Sequence, residues 1–139
     1  MDRADLVLAG LATDNCAPLT PVQAQKLFFL LDQCASNLDG PHWNFAPYDY
    51  GPFDAGVYRE MESLAREGLV SIRLGGVRCF LATDEGARRG KAALASLPAD
   101  TRSYVEQLGH WVRSLTFPQL VSAIYQAFPD MRANSKFVG

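Results

Sequence analysis

The side chains best suited to catalysis or metal binding are two histidines and three cysteines, and they are scattered along the chain. His42 lies in a polar loop beside Trp43, and His110 lies in a helical pattern. Neither histidine belongs to an HxxxH or HExxH spacing, and the cysteines form no CxxC pair. These spacings predict no metal site, although a Cys–His nucleophile pair could still form in space. We interpret the cysteines as reduced thiols that fill the core. They are Cys16, Cys34 and Cys79.

Glycines and paired acids also lack the context that chemistry needs. Gly75-Gly76 lies between two strand-like segments with no helix start after it, so a phosphate-binding loop is not predicted. Asp84 and Glu85 follow Thr83 at a helix start, where negative charge is favourable. These patterns predict a protein that is not an enzyme and that holds no cofactor.

The residues from 45 to 53, FAPYDYGPF, concentrate aromatic rings in one short segment. The prolines argue against a central strand and favour an ordered turn that aromatic packing holds in place. The rings either close the core or lie exposed as a binding hot spot on a rigid backbone, and alternate residues could do both. The four rings belong to Phe45, Tyr48, Tyr50 and Phe53.

Charge is unevenly distributed, which bears on nucleic-acid binding. Residues 1–69 carry ten acids and four bases, a balance of −6, whereas residues 70–139 carry five acids and nine bases, a balance of +4. The helix predicted at 54–67 has two arginines and four acids, so DNA phosphates would repel it. Bases follow it, and they are the candidate nucleic-acid contacts: Arg73, Arg78, Arg88, Arg89 and Lys91.

Length and composition predict one cytoplasmic domain. The chain has 139 residues, 48% of them hydrophobic and 20% charged, which is ordinary for a globular protein. No run of about 18 apolar residues is present, and residues 1–5 do not resemble a signal peptide. The odd number of scattered cysteines favours a reducing compartment.

Periodicity predicts six helices and two strands. Capping boxes begin two of the helices, at Thr20 with Gln23 and at Thr116 with Gln119. The apolar run 27–31 covers more than one helical face, so its helix should form the centre of the core. Gly86 and Gly90 fall inside a helical pattern as points of close packing. We expect helices at about 2–12, 20–36, 54–67, 83–97, 100–115 and 116–128, strands at 70–74 and 78–82, and a tail at 131–139.

This order predicts an α+β, mostly helical, winged-helix-like domain with a two-stranded β-hairpin wing and two additional C-terminal helices. Residues 1–97 would form the helical core plus wing, and residues 98–139 the helical extension. The apolar stripes of the last two helices favour either a homodimer or a cover for the core.

Three segments resemble a known group of proteins: TPVQAQKLFFLLDQ, FAPYDYGPFDAGVYREMESLAREGLV and IYQAFPDMRANSKF. Together they resemble the YwgA-like uncharacterised bacterial proteins and, more distantly, the Panacea (SocA-like) antitoxin domain. The resemblance implies a helical, winged-helix-like module that works by binding proteins, since Panacea domains are associated with neutralising partner toxins. It implies no catalytic residues.

These expectations combine into a leading hypothesis, a non-enzymatic protein-interaction module of a bacterial regulatory, defence or antitoxin-like system. Its partner would be a toxin or a regulatory or defence component. Whether the protein itself acts as an antitoxin, an adaptor or a regulator stays open. The alternative is a winged-helix DNA-binding transcriptional regulator. The predicted protein contacts are Phe45, Tyr48, Tyr50, Phe53, Arg59, Glu60 and Ser63.

Overall fold

The computed structural model describes residues 1–137, which form six α-helices and two small antiparallel sheets. The fold is therefore α+β and mostly helical, as predicted. The helices are α1 (Arg3–Cys16), α2 (Pro21–Cys34), α3 (Ala55–Arg66), α4 (Asp84–Ala95), α5 (Ala99–Ser114) and α6 (Phe117–Ala127). The strands are β1 (Ala46–Tyr48), β2 (Gly51–Phe53), β3 (Val70–Arg73) and β4 (Cys79–Ala82), and a 3-10 turn (Pro129–Arg132) follows α6.

Helix α2 forms the centre of the core, as the apolar run predicted. The predicted capping box begins it, because the Thr20 hydroxyl accepts from Gln23 N at 3.3 Å and the Gln23 side chain accepts from Thr20 N at 2.9 Å. Every residue from 24 to 31 is buried. Two of these buried residues, Gln25 and Lys26, are polar. A central helix with polar side chains inside it must have partners or a cavity for them.

Helix α4 packs at short distance on its neighbours through two glycines. A Cβ atom at Gly90 would overlap the carbonyl oxygen of Leu8 in α1, and one at Gly86 would overlap the carbonyl oxygen of Leu69. The prediction that Gly86 and Gly90 are points of close packing is therefore confirmed.

The first helix leaves helical geometry after residue 12, where the predicted helix ends. Although α1 extends formally to Cys16, Thr13, Asp14 and Asn15 leave helical φ/ψ values. Arg113 of α5 covers the freed carbonyl oxygens, donating to Ala17 O at 3.0 Å and Gly10 O at 3.4 Å. Helix α5 thus supplies hydrogen-bond donors to the carbonyl oxygens at the end of α1. Its Val105 and Val112 belong to the hydrophobic core that α1 and α2 share.

The segment 46–53 forms a β-hairpin, whereas the sequence predicted an ordered turn and no central strand. The two short strands on either side of the turn were not predicted. β1 and β2 pair antiparallel around a two-residue turn, with Pro47 opposite Pro52 and Tyr48 opposite Gly51. Antiparallel pairs alternate between hydrogen-bonded and non-hydrogen-bonded positions, and prolines tolerate the second kind because no N–H is needed there. Gly51 takes a φ of 106°, a left-handed value that glycine accepts without strain.

The C-terminal segment is also more ordered than a tail. After the 3-10 turn the chain returns to the β1–β2 turn, where Lys136 N donates to Asp49 O at 2.8 Å. Asn134 Nδ2 donates to Pro47 O at 3.4 Å. The expectation of a tail was therefore wrong for residues 131–137, whereas Val138 and Gly139 lie outside the described residues.

The second hairpin follows α3 directly. Gly68 ends α3 with a φ of 79°, and Leu69 N donates back to Leu64 O at 2.9 Å, which completes a Schellman motif. β3 and β4 then pair from Val70 opposite Ala82 to Arg73 opposite Cys79. The predicted end of the helix and the predicted strands are confirmed.

Candidate functional site

The segment from Phe45 to Phe53, here called the aromatic hairpin, divides its rings between core and solvent. Tyr48 is 53% exposed and Tyr50 is 41% exposed, whereas Phe45 and Phe53 are half-buried. Phe45 packs edge-on against Phe29 of α2, with 5.5 Å between ring centroids. The hairpin therefore packs Phe45 against the core and presents its tyrosines at the surface.

The exposed tyrosines are supported by other rings. The Tyr48 ring stacks on Phe53 with 4.9 Å between centroids, and Tyr50 meets Phe117 of α6 edge-on at 5.2 Å. Phe117 is itself 42% exposed. The aromatic surface thus continues from the hairpin onto the start of α6.

Gln25 and Asp54 hold the base of the aromatic hairpin. Gln25 Nε2 donates to Asp54 O at 3.0 Å, and Asp54 N donates to Gln25 Oε1 at 2.9 Å, so the buried amide pairs with the backbone as a neighbouring strand would. The Asp54 carboxylate accepts from Gly56 N at 2.7 Å and from Asn44 N at 2.8 Å. Asp54 therefore caps α3 and also ties the entry of the hairpin to its exit.

The C-terminal segment holds the opposite end of the aromatic hairpin. Besides the bond from Lys136 N, the ammonium of Lys136 lies 3.5 Å from the Asp49 carboxylate. The Tyr125 hydroxyl donates to Ser135 Oγ at 2.6 Å, which connects this segment to α6. Because base and turn are both held, the backbone that carries the tyrosines is fixed before any partner binds.

The loop that enters the aromatic hairpin is anchored by Asp32 of α2. Its carboxylate accepts from His42 N at 2.9 Å and Trp43 N at 3.0 Å, and it lies 2.8 Å from His42 Nδ1. His42 Nε2 donates to Met1 O at 2.7 Å. Both ring nitrogens of His42 are thus occupied by structural contacts.

A cavity of about 180 Å³ lies between α2 and the aromatic hairpin. Its apolar walls come from Val22, Tyr48, Tyr50, Phe53 and Tyr58, and Lys26 also lines it. Burial lowers the pKa of Lys26 to about 8, from an ordinary value of 10.5. This buried cation next to exposed rings makes the cavity the most distinctive site in the described part of the chain.

Sequence reasoning did not identify Lys26, although a signal was present. Lysine 26 has Val22 four residues before it and Phe29 and Leu30 three and four residues after it, all on one helical face. A lysine on an apolar face is either paired with an acid or faces a cavity.

The predicted contacts on α3 lie outside the cavity. Arg59 is exposed, Glu60 and Ser63 are half-buried, and none of the three lines the cavity. Tyr58 is the α3 residue that reaches it, with its hydroxyl donating to Pro21 O at 3.2 Å and its ring 5.8 Å from Phe53.

Most of the candidate nucleic-acid contacts are paired with acids of the same chain. Ion pairs join Arg78 to Glu62 at 3.8 Å, Arg88 to Glu85 at 2.8 Å and Arg89 to Asp5 at 3.1 Å. The Arg78 guanidinium also lies over the rings of Tyr58 and Phe80, at 5.7 and 5.1 Å. Arg73 and Lys91 are exposed.

The cysteines do not form a common site. Cys34 is exposed, so its interpretation as a core residue was wrong, and Cys16 and Cys79 are half-buried free thiols. His110 is exposed, with Nδ1 2.9 Å from the Asp14 carboxylate. Within residues 1–137, no three side chains of His, Cys, Asp or Glu come together as a metal site would require.

Comparisons with known proteins add no relative. No family model matches the chain, and neither the curated proteins nor the solved structures searched include a significant match.

None of the helices in the described part of the chain combines the length and the apolar character that crossing a membrane requires.

Proposed function

We propose that this protein is a protein-interaction module that captures its partner with the aromatic hairpin. The observation that carries the proposal is the exposure of Tyr48 and Tyr50 on a backbone held at both ends. Tyrosine is among the residue types that dominate binding energy at interfaces. Because the hairpin is already ordered, binding loses little conformational entropy.

The composition of this surface favours a protein partner over nucleic acid. Rings surround the cavity beneath the hairpin, and the adjacent helix α3 lies within a segment, residues 54–67, whose balance is −2. An acidic helix beside the site would repel phosphates. The resemblance to YwgA-like and Panacea proteins supports the same proposal and a partner in a bacterial regulatory, defence or antitoxin-like system.

The second hairpin also exposes apolar side chains, but it offers a poorer surface. Leu74 and Val77 are exposed at its tip, and an added Cβ atom at Gly75 or Gly76 would meet no other atom within 4 Å. The tip therefore projects without support, and it carries no aromatic ring.

A winged-helix-like description fits the order α3, β3, β4, α4, with this hairpin as the wing.

We expect Tyr48→Ala and Tyr50→Ala each to weaken partner capture about tenfold, because each removes an exposed ring from the centre of the aromatic surface. The measurement begins with affinity capture from a lysate of the source organism, in which the partner is the protein that wild type enriches and both variants lose. The Kd of each variant for that purified partner then gives the magnitude.

Val77→Ala is the matched control, since it removes an exposed apolar side chain from the other hairpin. It should leave the Kd unchanged. Thermal melts confirm that all variants are folded. If capture is the same for wild type and both tyrosine variants, the aromatic hairpin is not the binding surface.

DNA binding is the second candidate, favoured by the exposed Arg73 in the wing strand β3. With three of the five candidate bases already paired to acids, we expect no measurable binding of mixed-sequence duplex DNA, even at low salt. Fluorescence anisotropy across a salt series tests this. Binding that falls steeply with salt and is lost in Arg73→Ala would support the regulator instead.

A further inference from the structure

Lys26 is a buried lysine of the central helix α2. Its side chain is 3% exposed, and the described residues give it neither a hydrogen bond nor an ion pair. The Cε and Nζ atoms lie beside Gly51 of β2, each 3.4 Å from the position that a Cβ atom there would occupy. The end of the Lys26 side chain thus lies close to Gly51, beneath the aromatic hairpin.

Three other residues that line the cavity, Asp49, Gln25 and Tyr58, have their polar groups paired elsewhere. Asp49 lines the cavity, but its carboxylate pairs with Lys136 at 3.5 Å. Both ends of the Gln25 amide are used by the backbone of Asp54, and the Tyr58 hydroxyl donates to Pro21 O. Lys26 is therefore the one cation lining this cavity, and nothing in the described chain neutralises it.

We propose that this cavity binds a carboxylate of the partner, with the Lys26 ammonium as its counter-ion and the rings of Tyr48, Tyr50 and Phe53 around the attached carbon chain. This inference rests on the proposed function, because the carboxylate belongs to the protein that the aromatic hairpin captures. Its source is either an acidic side chain or a C-terminal carboxylate of that partner.

The charge and size of the site favour a carboxylate over a phosphate. One ammonium balances one negative charge, whereas a phosphate dianion takes several charged donors or an arginine fork. The cavity of about 180 Å³ has mainly apolar walls, which suit the hydrocarbon of an acid such as a leucine terminus or a glutamate side chain.

The folded protein has already removed most of the Lys26 side chain from water, and that cost is usually part of the cost of forming a buried ion pair. A partner carboxylate that enters the cavity therefore adds only its own desolvation. The Coulomb attraction that it gains is also stronger here than at an exposed lysine, since the surroundings are apolar.

The test is a ¹H–¹⁵N NMR titration at pH 6.5, read at the Gly51 amide, with three small probes. N-acetyl-leucine carries a terminal carboxylate, and the α-amide of N-acetyl-glutamic acid carries a side-chain carboxylate. N-acetyl-leucinamide has the shape of the first without the charge. We expect one or both acids to bind with a Kd on the order of 1 mM. The neutral amide should bind about tenfold more weakly or not at all.

Lys26→Met should weaken binding of the acid about tenfold or more, whereas Arg66→Met, which removes an exposed cation from α3, should leave it unchanged. Binding of N-acetyl-leucine alone identifies a C-terminal carboxylate, and binding of the glutamate probe alone identifies a side chain. Equal binding of acid and amide, unchanged binding by Lys26→Met, or no binding of either acid overturns the proposal.

This titration uses no partner protein, so it is independent of the capture experiment. If the acids do not bind while capture still depends on Tyr48 and Tyr50, the carboxylate site is wrong and the interaction surface stands. If the acids bind while capture is indifferent to both tyrosines, the cavity stands and the proposed role of the hairpin is wrong.

Discussion

Replacing Lys26 by methionine should make the protein more stable at pH 7, by about 2 kcal/mol in the free energy of unfolding. Most substitutions at buried positions are destabilising, so the sign of this effect is diagnostic. The folded pKa of about 8, against an ordinary 10.5, corresponds to about 3 kcal/mol of unfavourable burial of the ammonium. Methionine is unbranched and adaptable, so it can occupy the same channel beside Gly51.

The stability difference between wild type and Lys26→Met should narrow as pH rises from about 8 to about 10.5. In this window the unfolded lysine still holds its proton while the folded lysine releases it. The unfolded state then binds more protons, so the stability of the wild type rises with pH relative to the variant. At pH 7 both states are protonated and the full penalty of burial is present.

Urea unfolding of both proteins at several pH values measures this difference directly. Other groups also titrate above pH 8, since burial raises the pKa of Tyr58 and the bond to Asp39 raises the pKa of the N-terminal amine. Both groups are present in wild type and variant, so their contributions cancel in the comparison. Arg66→Met, at an exposed position, should change stability by less than about 0.5 kcal/mol.

A loss of stability in Lys26→Met would show that the ammonium has a stabilising partner, and the carboxylate site would then lose its physical basis. The expected gain of stability would show that the buried ammonium costs the folded protein free energy. Binding sites commonly contain such residues, because function is often gained at the expense of stability.

The helices could be predicted from the sequence because their signals are local. Thr20 with Gln23 and Thr116 with Gln119 form the capping boxes that their spacing predicted. Gly68 ends α3 in the left-handed conformation that a glycine after an amphipathic stripe predicts. In each case the decisive contact joins residues within about five positions of each other.

The aromatic hairpin and its supports could not be predicted in the same way, because their contacts are distant in sequence. Proline argues against a strand in general, and only the register that places Pro47 opposite Pro52 makes both acceptable. Likewise, nothing near Asp49 indicates that Lys136 will bond to its carbonyl oxygen. The tyrosines were identified from composition, whereas their exposure depends on these long-range contacts.

Asp32→Ala should destabilise the protein by about 3 kcal/mol, because it removes the acceptor of the loop that leads into the aromatic hairpin. The Asp32 side chain is 1% exposed and accepts from two successive backbone N–H groups, those of His42 and Trp43. Without the carboxylate these two donors lose their acceptor in a place that water reaches poorly. Asp39→Ala removes an exposed carboxylate from the same loop, so its effect on stability should be much smaller than that of Asp32→Ala.

Asp32→Ala should also make the aromatic hairpin, which carries the tyrosines, less rigid. The reason is that the Trp43 ring packs against Phe28 at 5.6 Å and against Phe45 at 6.1 Å. Loosening Trp43 removes a ring that packs against Phe45 at the entry of the hairpin, so this entry would then depend on the bond from Asn44 N to Asp54. Chemical denaturation gives the loss of stability, and amide hydrogen exchange at residues 43–48 shows whether the opening is local. If Asp32→Ala and Asp39→Ala are equally stable, Asp32 does not anchor the loop. If Asp32→Ala loses stability but exchange at 43–48 stays slow, the other contacts of the hairpin hold it without Asp32.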